Sequence, residues 1–221
     1  MLVGVFAPLR LTIALPVVLL WAAWPLLAYA TGRALPANRR GLTGDQRATF
    51  RRAARKMWRF FDDLVTATDS WLIPDNIQED RRELLAHRTS PTNIGLQLLS
   101  TLAAHDFGYI TVDGLLTRLE ATFATLLRMQ RYRGHFYNWY DTRTLAPLAP
   151  RYISTVDSGN LAGYLITLRP ALVDIAEGAA LSDGAVLDGV DDAIGLVEEE
   201  LARAPSPAGK RGERAAIKKE L

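Results

Sequence analysis

Residues 90–105, SPTNIGLQLLSTLAAH, decide the fold class. Ser90 suits a helix N-cap and Pro91 the first helical position, where the backbone N–H has no partner inside the helix and proline has none to lose. Beyond them Ile94, Leu96, Leu98, Leu99, Leu102 and Ala103 fall on more than one side of a helix. A helix that is apolar on several sides has to be enclosed by other elements.

The neighbouring sequence supplies helices to enclose it. Upstream, Thr43 with Gln46 forms a capping box. Phe50, Ala54, Met57, Trp58, Phe61, Leu64 and Val65 then recur at three- and four-residue steps, predicting a helix that ends near Thr66. Downstream, Leu115, Leu116, Leu119, Phe123, Leu126 and Leu127 form one stripe of a helix over about residues 112–130. A fourth helix begins near Asp157 or Ser158 and meets Pro170, where a kink or a stop is expected. A weaker one covers 182–203. The tail from Ala204 has Pro and Gly among Lys and Arg and reads as disordered. No strand alternation of useful length occurs, so the chain reads as all-α.

Ahead of these helices lies Leu11–Ala30, apolar apart from Thr12 and about as long as the span that crosses a bilayer core. Trp21, Trp24 and Tyr29 suit an interfacial belt, and Pro16 and Pro25 predict a kinked span. Arg33, Arg39 and Arg40 outweigh Arg10 across it, which places the following domain on the cytoplasmic side. Two readings stay open, a retained transmembrane anchor or a signal peptide cleaved after Ala28-Tyr29-Ala30. The domain reading is an anchor over 1–32, a linker over 33–42, a domain over 43–180, a divergent helix over 181–203 and a tail over 204–221.

The 221 residues carry 26 basic and 24 acidic side chains, too balanced to point to nucleic acid. With 0 Cys there are no disulfides and no thiolate chemistry. His87, His105 and His135 share no metal-ligand spacing, so neither a metal nor any other cofactor is expected. The basic side chains of the first helix (Arg47, Arg51, Arg52, Arg55, Lys56, Arg59) are either a solvated face or a grip on anionic lipid.

The two connections, 67–89 and 131–156, far exceed the roughly two to eight residues that join helices in bundles. Trp71, Phe136, Tyr137, Trp139 and Tyr140 make them too apolar to be disordered. Flat rings beside Asn, Asp, Arg and His suit a saccharide, which offers an apolar face and a rim of hydroxyls. The alternative is a structural aromatic cluster whose polar groups cap helices, with Ser90, Asp157 and Ser158 as caps.

The strings PDNIQED, HRTSPTNIGL, RLEATFATL, RGHFYNWYDTRTLAPL and YISTVDSGNLAGYL, in that order, resemble the central region of cyclic β-1,2-glucan synthases and, more distantly, β-1,2-glucanases. The resemblance spans residues 43–168 and implies a partial (α/α)6 toroid preceded by a transmembrane helix, set in the bacterial inner membrane. It implies β-1,2-glucan or a related oligosaccharide as partner and transglycosylation as the full-length activity. A complete toroid needs about twelve helices, so this chain is expected to be a fragment, inactive alone, with a companion chain supplying the rest.

Glycoside chemistry uses a pair of carboxylates. Those in the matching blocks are Asp75, Glu79, Asp80, Glu120, Asp141 and Asp157, of which Asp141 and Asp157 are the candidates for catalysis. The expected cleft residues are Asp75, Asn76, Arg88, Asn93, Arg133, His135, Asn138, Trp139, Tyr140 and Asn160. A membrane-anchored binding or assembly module without catalysis is the competing reading.

Overall fold

The computed structural model describes residues 8–32, 41–78, 85–179 and 181–203. The expected tail, Arg33, Arg39, Arg40, Glu79 and Asp80 lie outside the described residues. Two units divide the chain, Met1–Thr43 and Gly44–Leu221.

In the first unit, helix α1 (Pro8–Gly32) runs through both Pro16 and Pro25. Within it Ala14–Gly32, 19 residues of mean hydropathy 1.6, is long and apolar enough to cross a membrane. None of that stretch is buried by the protein, as lipid exposure requires.

The second unit is built from α2 (Gly44–Leu64), α3 (Pro91–Asp106), α4 (Val112–Arg128), α5 (Thr155–Ala176) and α6 (Asp183–Arg203). Hydroxyl caps set three of the starts. Ser90 accepts from Asn93 N at 3.3 Å, Thr111 from Gly114 N at 3.1 Å and Ser154 from Asp157 N at 3.1 Å. The expected stop at Pro170 is not what happens, since α5 continues through it to Ala176.

The long connections contain short antiparallel pairings that periodicity does not reveal. β1 (Arg88–Thr89) pairs with β4 (Tyr140–Asp141), Arg88 opposite Asp141 and Thr89 opposite Tyr140. β2 (Arg131–Tyr132) pairs with β3 (His135–Phe136). The β1–β4 ladder joins the first connection to the second.

Helix α3 is central, as its sequence demands. Ile94 and Leu98 are fully buried, and they join Leu72, Leu115, Leu119, Leu126, Tyr140, Leu161 and Leu168 in one core. Against α5 the approach is so close that a Cβ on Gly95 would meet the Tyr164 ring at 2.0 Å.

A buried side chain fixes the first connection to this core. Gln97, 1% exposed, accepts from Ile73 N at 2.8 Å. Its amide donates to Trp71 O at 2.9 Å and to Thr122 Oγ1 at 2.8 Å. Thr125 adds a bond to Ser70 O at 2.7 Å. These contacts hold Ser70 (φ 54°) and Trp71 (φ 59°) in the left-handed region, which is costly for residues with a Cβ.

The basic side of α2 is neither solvated nor free for lipid throughout. Lys56 Nζ lies 2.6 Å from Glu199, Arg51 Nε 2.9 Å from Asp192 and Arg52 3.4 Å from Glu199, all on α6. Arg55 sits over the Tyr109 ring at 5.2 Å. The acidic α6 is therefore seated on a basic strip. A Cβ on Gly189 would meet the Gly108 carbonyl at 2.4 Å, which marks how closely the helix seats.

Three stability outcomes follow from this packing, all measurable by denaturant unfolding of the full chain. Gln97→Ala leaves Ile73 N–H without its partner and Trp71 C=O with only the longer bond from Thr122 Oγ1 at 3.2 Å, and should cost about 1–3 kcal/mol. Gly95→Ala should cost about 1–3 kcal/mol through the Tyr164 clash. By contrast Gly163→Ala, with nothing within 4 Å of its Cβ, should gain about 0.5–1 kcal/mol.

Candidate functional site

The site starts at Asp75, placed at the surface just past the buried run Leu72–Pro74. Its Oδ1 accepts from Asn93 Nδ2 at 3.0 Å. Its Oδ2 accepts from Asn76 Nδ2 at 2.8 Å and from Arg88 Nη2 and Nε at 3.0 and 3.2 Å. Arg88 in turn lies over the Trp139 ring, 4.9 Å from its centroid, a cation–π contact that fixes both groups.

Next to Trp139, Asn138 is 6% exposed. The amide orientation that satisfies both its atoms has Nδ2 donating to Asp157 Oδ2 at 2.9 Å. Oδ1 then accepts from Trp139 Nε1 and from the Tyr152 hydroxyl, both at 2.7 Å. Asp157 stands in the first turn of α5 and reaches across to the first turn of α3. Burial pushes its pKa up, but hydrogen bonds from the Ser154 hydroxyl, the Thr92 hydroxyl and amide, and the Ser90 hydroxyl hold it below the ordinary carboxylate range. Those donors belong to two helix N-termini, where unpaired N–H groups favour an anion. Asn160 closes the edge by donating to Thr92 Oγ1 at 3.1 Å.

The contacts form a circuit: Asp75, Arg88, Trp139, Asn138, Asp157, then Ser90 and Thr92, then Asn93 and back to Asp75. Eight expected residues lie on it or bonded to it, namely Asp75, Asn76, Arg88, Asn93, Asn138, Trp139, Asp157 and Asn160. It stays open to solvent on one side, with the Arg88 side chain 49% exposed and Tyr152 47% exposed.

Four expected residues take other places. Tyr140 is fully buried and belongs to the core rather than to a cleft wall. Its hydroxyl donates to Gln130 O and accepts from Tyr137 N, both at 2.7 Å. Asp141 is a turn-forming carboxylate, whose Oδ1 accepts from Thr144 N at 2.8 Å, Arg143 N at 3.0 Å and the Thr144 hydroxyl at 3.0 Å. Burial raises its pKa, yet those bonds and the Arg143 charge bring it below the usual value. Arg133 and His135 are exposed at the β2–β3 turn, with Arg133 over the Tyr132 ring at 5.4 Å.

Tyr152, Ser154 and Thr92 are the participants that sequence reasoning missed. The two hydroxyls were legible only as residues flanking helix starts. Tyr152 sits inside a quoted block with nothing to single it out.

The arrangement presents fixed acceptors, fixed amide groups and an aromatic ring, a set suited to hydroxyl-rich ligands. Among the described residues no group of His, Asp and Glu could hold a metal ion.

No protein-family model matches the chain. Over 194 residues it is 43% identical to the cyclic beta-(1,2)-glucan synthase NdvB of Rhizobium meliloti. That match covers 87% of this chain and 7% of that protein, so the chain spans about 7% of the length of its relative. The endo-beta-1,2-glucanase of Chitinophaga pinensis, solved in complex with sophorotriose and glucose, matches at 16% identity and a TM-score of 0.50. The match covers 69% of this chain and 36% of that one, a likeness of fold alone.

The depressed pKa of Asp157 has a signed consequence. Its contribution to stability is complete above the unfolded carboxylate value, about 3.9, and is lost as pH falls through the lower folded value. Asp157→Asn should therefore be less stable than wild type at pH 7, and the gap should narrow as pH is lowered below the unfolded carboxylate value in a series of thermal melts.

Proposed function

We propose that this chain is a glucan-handling portion of a cyclic β-1,2-glucan synthase-like membrane protein. Its circuit forms part of the wall of a saccharide cleft in an (α/α)6 toroid opened by residues 43–180. The observation that carries this reading is the convergence of Asp75, Arg88 and Asn93 with Asn138, Trp139, Asp157 and Asn160 on one solvent-facing circuit. The stretch matched to the Rhizobium meliloti synthase is long enough to include every residue of that circuit.

In this reading Asp75, Asn93, Asn138 and Asn160 bind hydroxyls, while Trp139, steadied by Arg88, receives an apolar sugar face. Asp157 positions rather than reacts. A carboxylate held ionised by several donors is a poor general acid at neutral pH, and its lone pairs are already committed. This favours glucan binding without bond cleavage by this chain. The reacting carboxylate pair, with the rest of the ring, comes from a companion helical segment. That segment covers the exposed apolar residues Leu116, Leu127, Leu165 and Ile166 of α4 and α5. Helix α1 anchors the assembly in the bacterial inner membrane, with the domain on the cytoplasmic side.

Calorimetric titration of the full chain in lipid nanodiscs with linear β-1,2-glucan oligosaccharides tests the reading. Saturable binding is expected, weakened about tenfold, or about 1.4 kcal/mol, by Trp139→Ala. Chromatography should find no new products. No heat in the wild type would end the glucan assignment. Turnover that Asp157→Asn abolishes would end the positioning role.

A further inference from the structure

A polar hollow of about 330 Å3 adjoins the circuit, lined among others by Gln78, His87, Arg88, Asp141 and Arg143. Only Arg88 of these is used by the circuit.

His87 is held as a site residue would be. Its Nδ1 lies 2.7 Å from Oδ1 of Asp69, a carboxylate 3% exposed that also accepts from the Thr142 hydroxyl. Its carbonyl accepts from Thr142 N at 3.1 Å, which ties the backbone as well. A carboxylate against Nδ1 places the proton there and leaves the lone pair on Nε2. The side chain is 28% exposed, and Nε2 has no hydrogen-bond partner among the described residues.

Across the hollow, Arg88 and Asp141 are direct cross-strand partners, so their side chains share one face of the ladder. Asp141 commits Oδ1 to its turn and keeps Oδ2 open. Arg88 gives Nε and Nη2 to Asp75 and keeps Nη1. Arg143, whose charge acts on Asp141, has no salt bridge among the described residues.

The hollow therefore offers two acceptors (His87 Nε2, Asp141 Oδ2) and two donors (Arg88 Nη1, the Arg143 guanidinium), with the Gln78 amide beside them. Its cations are offset by Asp141, by Asp69 beneath His87 and by Asp75 behind Arg88. A charge-balanced set of alternating donors and acceptors fits vicinal hydroxyls, each of which both gives and takes a hydrogen bond, better than it fits an ion.

We propose that this hollow is a second sugar subsite, joined to the Trp139 position through Arg88. His87 hydrogen-bonds a sugar hydroxyl there through Nε2. The inference rests on the glucan reading of the circuit and extends it to glucosyl units of the same ligand beyond the two that a disaccharide places on the circuit.

His87→Asn is the decisive variant, because its side-chain amide can still donate to Asp69 while the Nε2 acceptor is gone. The full chain in nanodiscs would be titrated with a β-1,2-linked glucose disaccharide and a tetrasaccharide, alongside His87→Asn, Arg143→Met and Trp139→Ala. The wild type should bind the tetrasaccharide about tenfold more tightly than the disaccharide. His87→Asn and Arg143→Met should each remove most of that advantage and leave the disaccharide unchanged, whereas Trp139→Ala should weaken both. In the wild type the His87 imidazole nitrogen resonance should shift with the tetrasaccharide and not with the disaccharide. An advantage that survives both variants, or an unmoved His87 resonance, overturns the second subsite while the circuit stands. Absence of binding by either sugar to the wild type overturns both.

Discussion

Gln97 is the constraint on which the site depends. One buried amide answers Ile73 N–H, Trp71 C=O and Thr122 Oγ1, and so holds a strained two-residue reversal against α3 and α4. Left-handed backbone at Ser70 and Trp71 costs of the order of 1–2 kcal/mol per residue, and hydrogen bonds to otherwise orphaned backbone groups offset it. The reversal sends Leu72 and Ile73 into the core and brings Asp75 up within reach of Asn93 and Arg88. Without that clasp the circuit loses its first member.

The rest of the circuit follows from helix ends. Helices α3 and α5 begin side by side, and their first turns leave N–H groups unpaired. Asp157 answers one in each helix directly or through hydroxyls, so the carboxylate that registers α5 on α3 also anchors Asn138, and through it the Trp139 indole. Packing and recognition share the same atoms here. A carboxylate so placed is rigid and ionised, qualities that suit holding a ligand more than passing a proton.

Much of this was legible in the sequence. The doubly apolar run after Ser90-Pro91 announced an enclosed helix and Ser90 marked its start, whereas the fourth helix starts at Thr155 under a Ser154 cap rather than at the expected Asp157 or Ser158. Eight of the polar and aromatic residues singled out in the two connections and at the helix starts that follow them do converge. What stayed hidden depends on partners distant along the chain. Tyr140 reads like a ligand-facing aromatic until its pairing opposite Thr89 turns it inward. The basic strip of α2 reads like a solvated or lipid-facing surface until α6 folds back with Asp192 and Glu199. Gln97 reads like a polar interruption in an apolar helix, and only a folded loop beside it shows that it is the loop's main attachment.

The seam between α2 and α6 carries its own implication. Phe107 and Tyr109 contribute stacked rings at one end, 5.6 Å apart, but much of the join is charge against charge. Contacts of that kind weaken as mobile ions crowd them, with a screening length of about 8 Å at physiological ionic strength. The α3–α5 joint, made mainly of interlocked apolar groups, depends on it far less. The C-terminal helix is thus a clip whose grip is set by the surrounding electrolyte, so this molecule can loosen at one margin while its sugar-facing scaffold keeps its shape.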